Sequence, residues 1–489
     1  VRPGKKIVGL LCILFLGGFL LSTSHSLAAR AGSYTVNLPV VVNRYPLQTV
    51  FGTEMKPISD EKGLQQMADA GTYWVRRNAV LWSQVEPVQG GGYDWSVLAG
   101  LEAELLLARQ HGMEVILIVR GVPDWARASP YYQCGPIDPA ALPAFGNFMQ
   151  ALVQRYSQSP YRVKYWEIWN EPDVSPQAVP NPNAAFGCLG IENDPYYGGR
   201  EYADILKAVY PKIKAADPAA QVLVGGLLLD CAPNGSPNCT TATFLEGILV
   251  NNGKDFFDGV SFHAYDYYST VVAGQYGTYG NPNWNSGYIG TQKYGDLKPV
   301  LVAKANYLQS VLAAYGANDK YLLNTETALL CGSIGDPPGG PGCESDPDSP
   351  FETLKASYVA QSYAAAMGEG LIGNLWFSPL GWRNSGLLNE DLTTRPAYDA
   401  FVLARNTLKD ATFVREVDEF VATDQVFGYE FQVEGGTIWV LWSLDGAPRD
   451  IDLPGIPAAA WDAVGNPISA GTGTLSISRL NTVYVQWSP

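Results

Sequence analysis

Histidine is almost missing from this chain: its 489 residues contain three, at positions 25, 111 and 263. So few exclude a histidine-rich metal centre, and no Cys-x-x-Cys pair occurs to supply zinc-ligand spacing. Neither a metal nor a cofactor is expected. A Ser-His-Asp hydrolase would have to use His263. Ser261 lies two residues away, but Gly-x-Ser-x-Gly is absent and no oxyanion motif accompanies it. His111 ends a helical stretch before Gly112 and reads as a partner of the helix dipole. A Walker A loop is missing too. Charged residues make up only 16%, the net charge is 32 − 47 = −15, and no Lys/Arg-rich run appears. Such a chain repels phosphate backbones, so no nucleic-acid partner is expected.

Long apolar runs are scarce as well. The one candidate, Ile7 to Leu21, follows Arg2, Lys5 and Lys6 and precedes Ala29-Arg30-Ala31. It is short for a spanning helix, and residues 1–31 read as a secretion signal, with an uncleaved anchor as the alternative. After cleavage no stable membrane insertion is expected, and the location is secreted or cell-envelope. Beyond the signal stand Cys134, Cys188, Cys231, Cys239, Cys331 and Cys343, an even number in an export setting that permits disulfides. Short loops favour 231–239 and 331–343, which leaves 134–188.

What the chain does have is apolar surface: 47% hydrophobic residues, 13 Trp and 28 Tyr. That is enough for a large core, with aromatics left over for stacking on flat ligands such as sugars. Residues 32–50 read as a linker or extra strand. From about 51 a strand–helix alternation runs eight times, with strands in TVFGTEM, TYWVRR, EVILIVRG, RVKYWEIWN, QVLVGGLL, FFDGVSFHAY, KYLLNTETA and LIGNLWFS. Eight consecutive units predict an α/β fold, a (β/α)₈ TIM barrel over 51–408. A doubly wound open sheet is the alternative, but no glycine-rich loop follows the first strand. After about 410, VFGYEFQV and GTIWVLWS alternate with period two, predicting a small antiparallel β-sandwich over 409–489 that packs on the barrel.

In such a barrel, function collects at the C-terminal ends of the strands. The polar residues expected there are Glu54, Arg76 or Arg77, Asn170, Glu171, His263, Tyr265 and Glu326, with Trp376 on the eighth strand. Tyr165 to Pro172 reads YWEIWNEP, with two carboxylates four apart on one face of a strand. Depth separates them. Glu171, before Pro172, lies where the strand opens into a loop and is assigned to chemistry. Glu167 lies inside the strand and is assigned to structure, paired with Arg76 or Lys164. Glu86, before Pro87, reads as a loop anchor.

Trp169-Asn170-Glu171-Pro172, together with Glu326 in LLNTETA, resembles clan A of the glycoside hydrolases. WVRRNAVLWSQVEP (74–87) with GGYDWS (91–96), GVPDWA (121–126) and FHAY (262–265) make family 39 the nearest in motif, with similarity to families 5 and 42. The resemblance implies retaining hydrolysis of O-glycosidic bonds in oligo- or polysaccharides by double displacement. Glu171 would be the acid/base and Glu326 the nucleophile. Asn170 would donate to the sugar 2-hydroxyl, Arg76 and Tyr265 would serve the nucleophile, His263 would orient Glu171 or bind a hydroxyl, and Trp376 would lie under the ring. Glu54 is divided between a sugar contact and a buried pair. The long segments after strands four (172–197) and six (266–295) are expected to wall the cleft, leaving both exo and endo action open. A non-catalytic glycan-binding barrel is the alternative, although a pure binder has no need of both carboxylates.

Overall fold

The computed structural model describes residues 49–489, apart from 129–131, 180–184, 234–240, 270–277, 282, 285–297, 333–342, 344–345, 446 and 478–480. The expected signal segment, nearly all of the 32–50 linker, Cys239 and most of the 266–295 wall lie outside the described residues.

The eight apolar runs form eight parallel strands: β1 (Phe51–Glu54), β2 (Trp74–Leu81), β3 (Glu114–Arg120), β4 (Tyr165–Asn170), β5 (Gln221–Leu227), β6 (Gly259–Ser269), β7 (Tyr321–Cys331) and β8 (Gly373–Trp376). Each pairs with the next, β8 pairs with β1, and the ring is closed. Helices α1 (Leu64–Asp69), α2 (Ala99–Gln110), α3 (Leu142–Tyr156), α4 (Gly199–Ala216), α5 (Phe244–Val250), α6 (Val300–Ala314), α7 (Pro350–Gly368) and α8 (Pro396–Leu408) alternate with the strands. Local sequence starts and stops them. Ser349 accepts from the Glu352 N–H (3.2 Å) with Pro350 at the first helical position, so α7 begins with a serine N-cap. Glycines at φ > 0, Gly71 and Gly112, end the runs after α1 and α2.

The strands are buried on both faces, and parity sorts their side chains. Trp74, Ile116, Tyr165, Leu223, Leu323 and Leu375 point inward and fill the bottom of the barrel as one cluster. Val75, Leu117, Trp166 and Val222 point outward under the helices. The apolar bottom layer leaves the polar inward positions stacked above it, at the carboxyl ends of the strands.

The C-terminal segment folds into antiparallel strands β9 (Thr412–Val417), β10 (Val426–Val433), β11 (Gly436–Ser443), β12 (Arg449–Asp452), β13 (Ala459–Asp462), β14 (Thr474–Ile477) and β15 (Val483–Trp487). One sheet has the order β9-β10-β11-β15-β13, and β12 pairs with β14 in a second. Trp439, Leu441 and Val485 of the first sheet meet Ile451, Leu475 and Ile477 of the second in a separate small core. This sandwich leans on α7. Gln361 donates to Thr482 (2.9 Å), the Thr482 N–H donates to Ser357 Oγ (3.1 Å), and Gly368 is bare because the Tyr429 ring occupies the space of a Cβ.

Cys134–Cys188 and Cys331–Cys343 are disulfides, and Cys231 is also disulfide-bonded. No helix among the described residues is long and apolar enough to cross a membrane.

Candidate active site

Above the apolar layer the first inward residue of β2 is Arg76, two positions beyond Trp74. It is fully buried and holds four partners: Glu54 (2.6 Å), Asn170 (2.5 Å), Glu167 and Glu326. Arg77, of opposite parity, points out to Glu104 on α2 (2.9 Å). Of the two basic residues, therefore, Arg76 enters the site. Glu167 pairs with Arg76 rather than Lys164 and accepts the Gly226 N–H (3.1 Å), which ties β4 to β5. A guanidinium removed from water survives only when its donors are satisfied, and here carboxylates from β1, β4 and β7 do that. Lys56 adds a second cation, 2.7 Å from Glu54.

The top layer depends on departures from regular strand geometry. Parity from Tyr165 and Glu167 would turn Trp169 inward. Instead Trp169 adopts φ 76°, packs into the core with its indole N–H on Gly187 O (3.1 Å), and yields the inward place to Asn170. Glu171 follows at φ 47°, its N–H on Gly226 O (2.9 Å). Non-glycine residues in the left-handed region are uncommon and gather at functional sites. On β7 a bulge does the same work. Phe262 stands opposite Asn324 and His263 opposite Glu326, so Thr325 is extra and Glu326 takes the inward position.

The result is a compact constellation. His263 Nδ1 lies 2.8 Å from Glu171 Oε1, and its Nε2 lies 3.6 Å from Glu326 Oε1 without a hydrogen bond. One oxygen from each glutamate and a ring nitrogen of His263 all fall within 4.8 Å of one another. The Tyr265 hydroxyl donates to Glu326 Oε2. Gly226 lets the imidazole in, since a Cβ there would meet His263 Nε2 at 2.1 Å. The three donor atoms are spaced as metal ligands can be, but the Arg76 guanidinium already occupies Glu326 Oε1 and opposes a further cation.

Burial and fixed charge drive the two glutamates apart. Loss of solvent lifts Glu171 from 4.5 to about 7, against the pull of Arg76, Lys56 and Lys304. Glu326 loses solvent too, which alone would raise it. His263, Arg76 and Lys56 more than compensate and hold it below its ordinary value. Burial pushes His263 down to about 4, so it is neutral at pH 7, and Arg76 and Lys56 are the charges that keep Glu326 ionised there. Burial, and then the charge of Glu326, raise Glu54.

Glu54, Arg76, Asn170, Glu171, His263, Tyr265 and Glu326 are thus brought together. Trp376 is not. Leu375 faces the barrel interior, so Trp376 faces outward. It has no exposed surface, packs against Tyr358 of α7 (ring centroids 6.2 Å apart), and donates its indole N–H to Ser385 O (2.9 Å). Phe377 has the inward parity instead. Its ring lies 6.0 Å from that of Tyr265, with Lys56 Nζ 4.7 Å above it. Counting by twos from Leu375 would have found it. Two further residues escaped sequence reading. Lys304, buried on α6, donates to the carbonyls of His263 and Leu228 (2.7 Å each). Arg120 ends β3 beside Asn78 (2.7 Å). Glu86 anchors its loop through the Trp82 indole (2.8 Å).

No curated protein matches the chain in sequence. Among solved structures it is similar to a family 39 glycoside hydrolase from the gut symbiont Bacteroides cellulosilyticus WH2 (20% identity, 90% of this chain and 81% of that one, TM-score 0.62). It also resembles a glycoside hydrolase family 30 subfamily 8 xylanase from Clostridium acetobutylicum (13% identity, 89% and 95%, TM-score 0.55). A third likeness is to a monomeric beta-xylosidase from Caulobacter crescentus CB15 (15% identity, 90% and 96%, TM-score 0.54). At these identities the likeness is one of fold. The family model for cellulase (glycosyl hydrolase family 5) matches residues 36–333. That match covers more than half of the chain and most of its barrel. The chain belongs to glycosyl hydrolase family 5, the cellulase family, and is a glycoside hydrolase of clan A.

Proposed function

We propose that this glycoside hydrolase is a retaining enzyme working through a covalent glycosyl-enzyme, with Glu326 as nucleophile and Glu171 as acid/base. The observation that carries the reading is the distance between them. Carboxylate oxygens of Glu171 and Glu326 lie within 4.8 Å. Retaining pairs stand about 5–5.5 Å apart, whereas an inverting pair needs about 6.5–9.5 Å to fit a water between.

In the first step Glu326 attacks the anomeric carbon and the bond to the leaving oxygen breaks. The Glu171 proton passes to that oxygen. A pKa of about 7 keeps the proton in place near neutral pH, while Glu326, held low, is ionised. In the second step Glu171, now a carboxylate, takes a proton from water. The water oxygen attacks the same carbon and frees Glu326, so two inversions give retention. Neutral His263 holds Glu171 at Nδ1 in both steps. Arg76 fixes Asn170 by its Oδ1 and Ala185 O takes one of its amide hydrogens, which leaves the other for the sugar 2-hydroxyl. Tyr265 and Arg76 orient the nucleophile. Phe377, rather than Trp376, supplies the apolar surface beside the ring.

The barrel of 51–408 is the catalytic domain, and 409–489 is a packing domain set against α7. The signal-like start and the disulfides support export. Xylose-based glycans, in keeping with the likeness to a xylanase and a beta-xylosidase, are first among candidate substrates. A panel of aryl glycosides tests the function, with Glu171→Gln and Glu326→Ala alongside. Turnover by the parent and its loss in Glu326→Ala are expected, and binding without turnover by the parent would favour a glycan-binding barrel.

A further inference from the structure

Strand β3 carries a cation that the proposed chemistry does not use. Ile116 belongs to the inward bottom layer, so Ile118 and Arg120 follow on the same face, and Arg120 enters the mouth. Its Nε donates to Asn78 Oδ1 (2.7 Å). Asn78 Nδ2 donates to Ala185 O (3.2 Å), which also receives Asn170 Nδ2 (3.3 Å). Arg120 is therefore joined through Asn78 and the Ala185 carbonyl to Asn170, the residue beside Glu171. Unlike Arg76 and Lys56, it has no carboxylate: among the described residues nothing meets its two terminal nitrogens. Burial with no anion to offset it brings the guanidinium down to about 10. Partly desolvated charges in folded proteins are normally paired. A planar fork with both terminal nitrogens open is the geometry that takes a carboxylate through two parallel hydrogen bonds.

From this placement we infer that the cleft recognises a carboxylate on its sugar substrate, bound by Arg120 with Asn78 holding the fork in place. The ligand class is a uronic acid residue. The net charge of −15 narrows it further. An acidic protein repels a densely charged polyanion at long range, so one acidic sugar on an otherwise neutral glycan fits better. The inference rests on the mouth being the sugar-binding face proposed above.

The test uses the intact protein at pH 6. Glucuronate is compared with glucose, and galacturonate with galactose, each pair differing by carboxylate against hydroxymethyl at C6. Binding is read by ligand-observed NMR and by competition against aryl-glycoside hydrolysis. At least one uronate is expected to bind about tenfold or more tightly than its neutral partner, the usual worth of a charge-assisted pair. Arg120→Gln should equalise the pair, and Arg120→Lys, which keeps charge but loses the fork, should fall between. Equal binding of acid and neutral sugars by the parent protein would overturn the inference, and so would a preference that survives Arg120→Gln. The parent comparison decides even if a variant fails to fold. An Arg120-dependent preference in a protein that hydrolyses no glycoside would sink the catalytic reading and leave this one standing.

Discussion

The Nδ1 atom of His263 lies 2.8 Å from Oε1 of Glu171, on an imidazole that burial keeps neutral. A neutral ring can donate to the glutamate when it is a carboxylate and accept from it when it is an acid. In the proposed double displacement it would therefore serve both halves without carrying charge into a site where Arg76 and Lys56 already supply it.

The first prediction concerns pH. Glu171 must be protonated to donate, and burial sets its pKa at about 7, so kcat/KM should fall as pH rises through about 7. Glu326 must be ionised, and its pKa lies below 4.5, so the acid limb should lie below that value. With an activated aryl leaving group, Glu171→Gln should lose the alkaline limb while the acid limb stays. An alkaline limb persisting in that variant would assign it to another group.

Replacing the nucleophile should abolish turnover. In Glu326→Ala, azide should restore cleavage of an activated glycoside and give a glycosyl azide of inverted configuration, read by NMR. Glu171→Ala should spare activated substrates and slow unactivated ones by about 10²–10⁴-fold.

Gly226 should resist even alanine. Its Cβ would stand 2.1 Å from His263 Nε2, so the ring must move and Glu171 loses its partner. Gly226→Ala should lower kcat/KM by about 10²-fold, as misplacement of about 1 Å does elsewhere. Poor leaving groups should suffer more than good ones, because proton donation is the step disturbed. Equal losses on both would point to general disruption.

Much of this was legible in the sequence, and the misses have particular causes. Eight apolar runs alternating with helices point to parallel strands buried on both faces, and their number, with no glycine-rich loop after the first, favours a closed barrel over a doubly wound sheet. The polar strand ends were legible for the same reason. Trp376 was misjudged because strand ends are fuzzy. One residue of slip exchanges inside for outside, and Leu375 places Phe377 within. The bulge at Thr325 and the left-handed Trp169 have no local signature, yet they aim Glu326, Asn170 and Glu171. Lys304 looked like any lysine on a helix, and only the packing of α6 against β6, beside the segment that follows β5, shows what it binds.

Lys304 also carries a prediction. Its ammonium is buried on two carbonyls, one of them that of His263, and its charge lowers the pKa of Glu171. Lys304→Met should cost about 1–3 kcal/mol for each carbonyl left unpaired, seen as a lower Tm. It should also move the alkaline limb above 7. A limb that stays in place while Tm falls would make Lys304 purely structural.

The central claim is a nucleophilic Glu326 within reach of the carbon that Glu171 helps to release. Proton NMR of the first product formed from a β-glycoside the enzyme cleaves, recorded before mutarotation, tests it most directly. The account predicts that the β-anomer appears first. Initial release of the α-anomer would mean single displacement by water, and would contradict it.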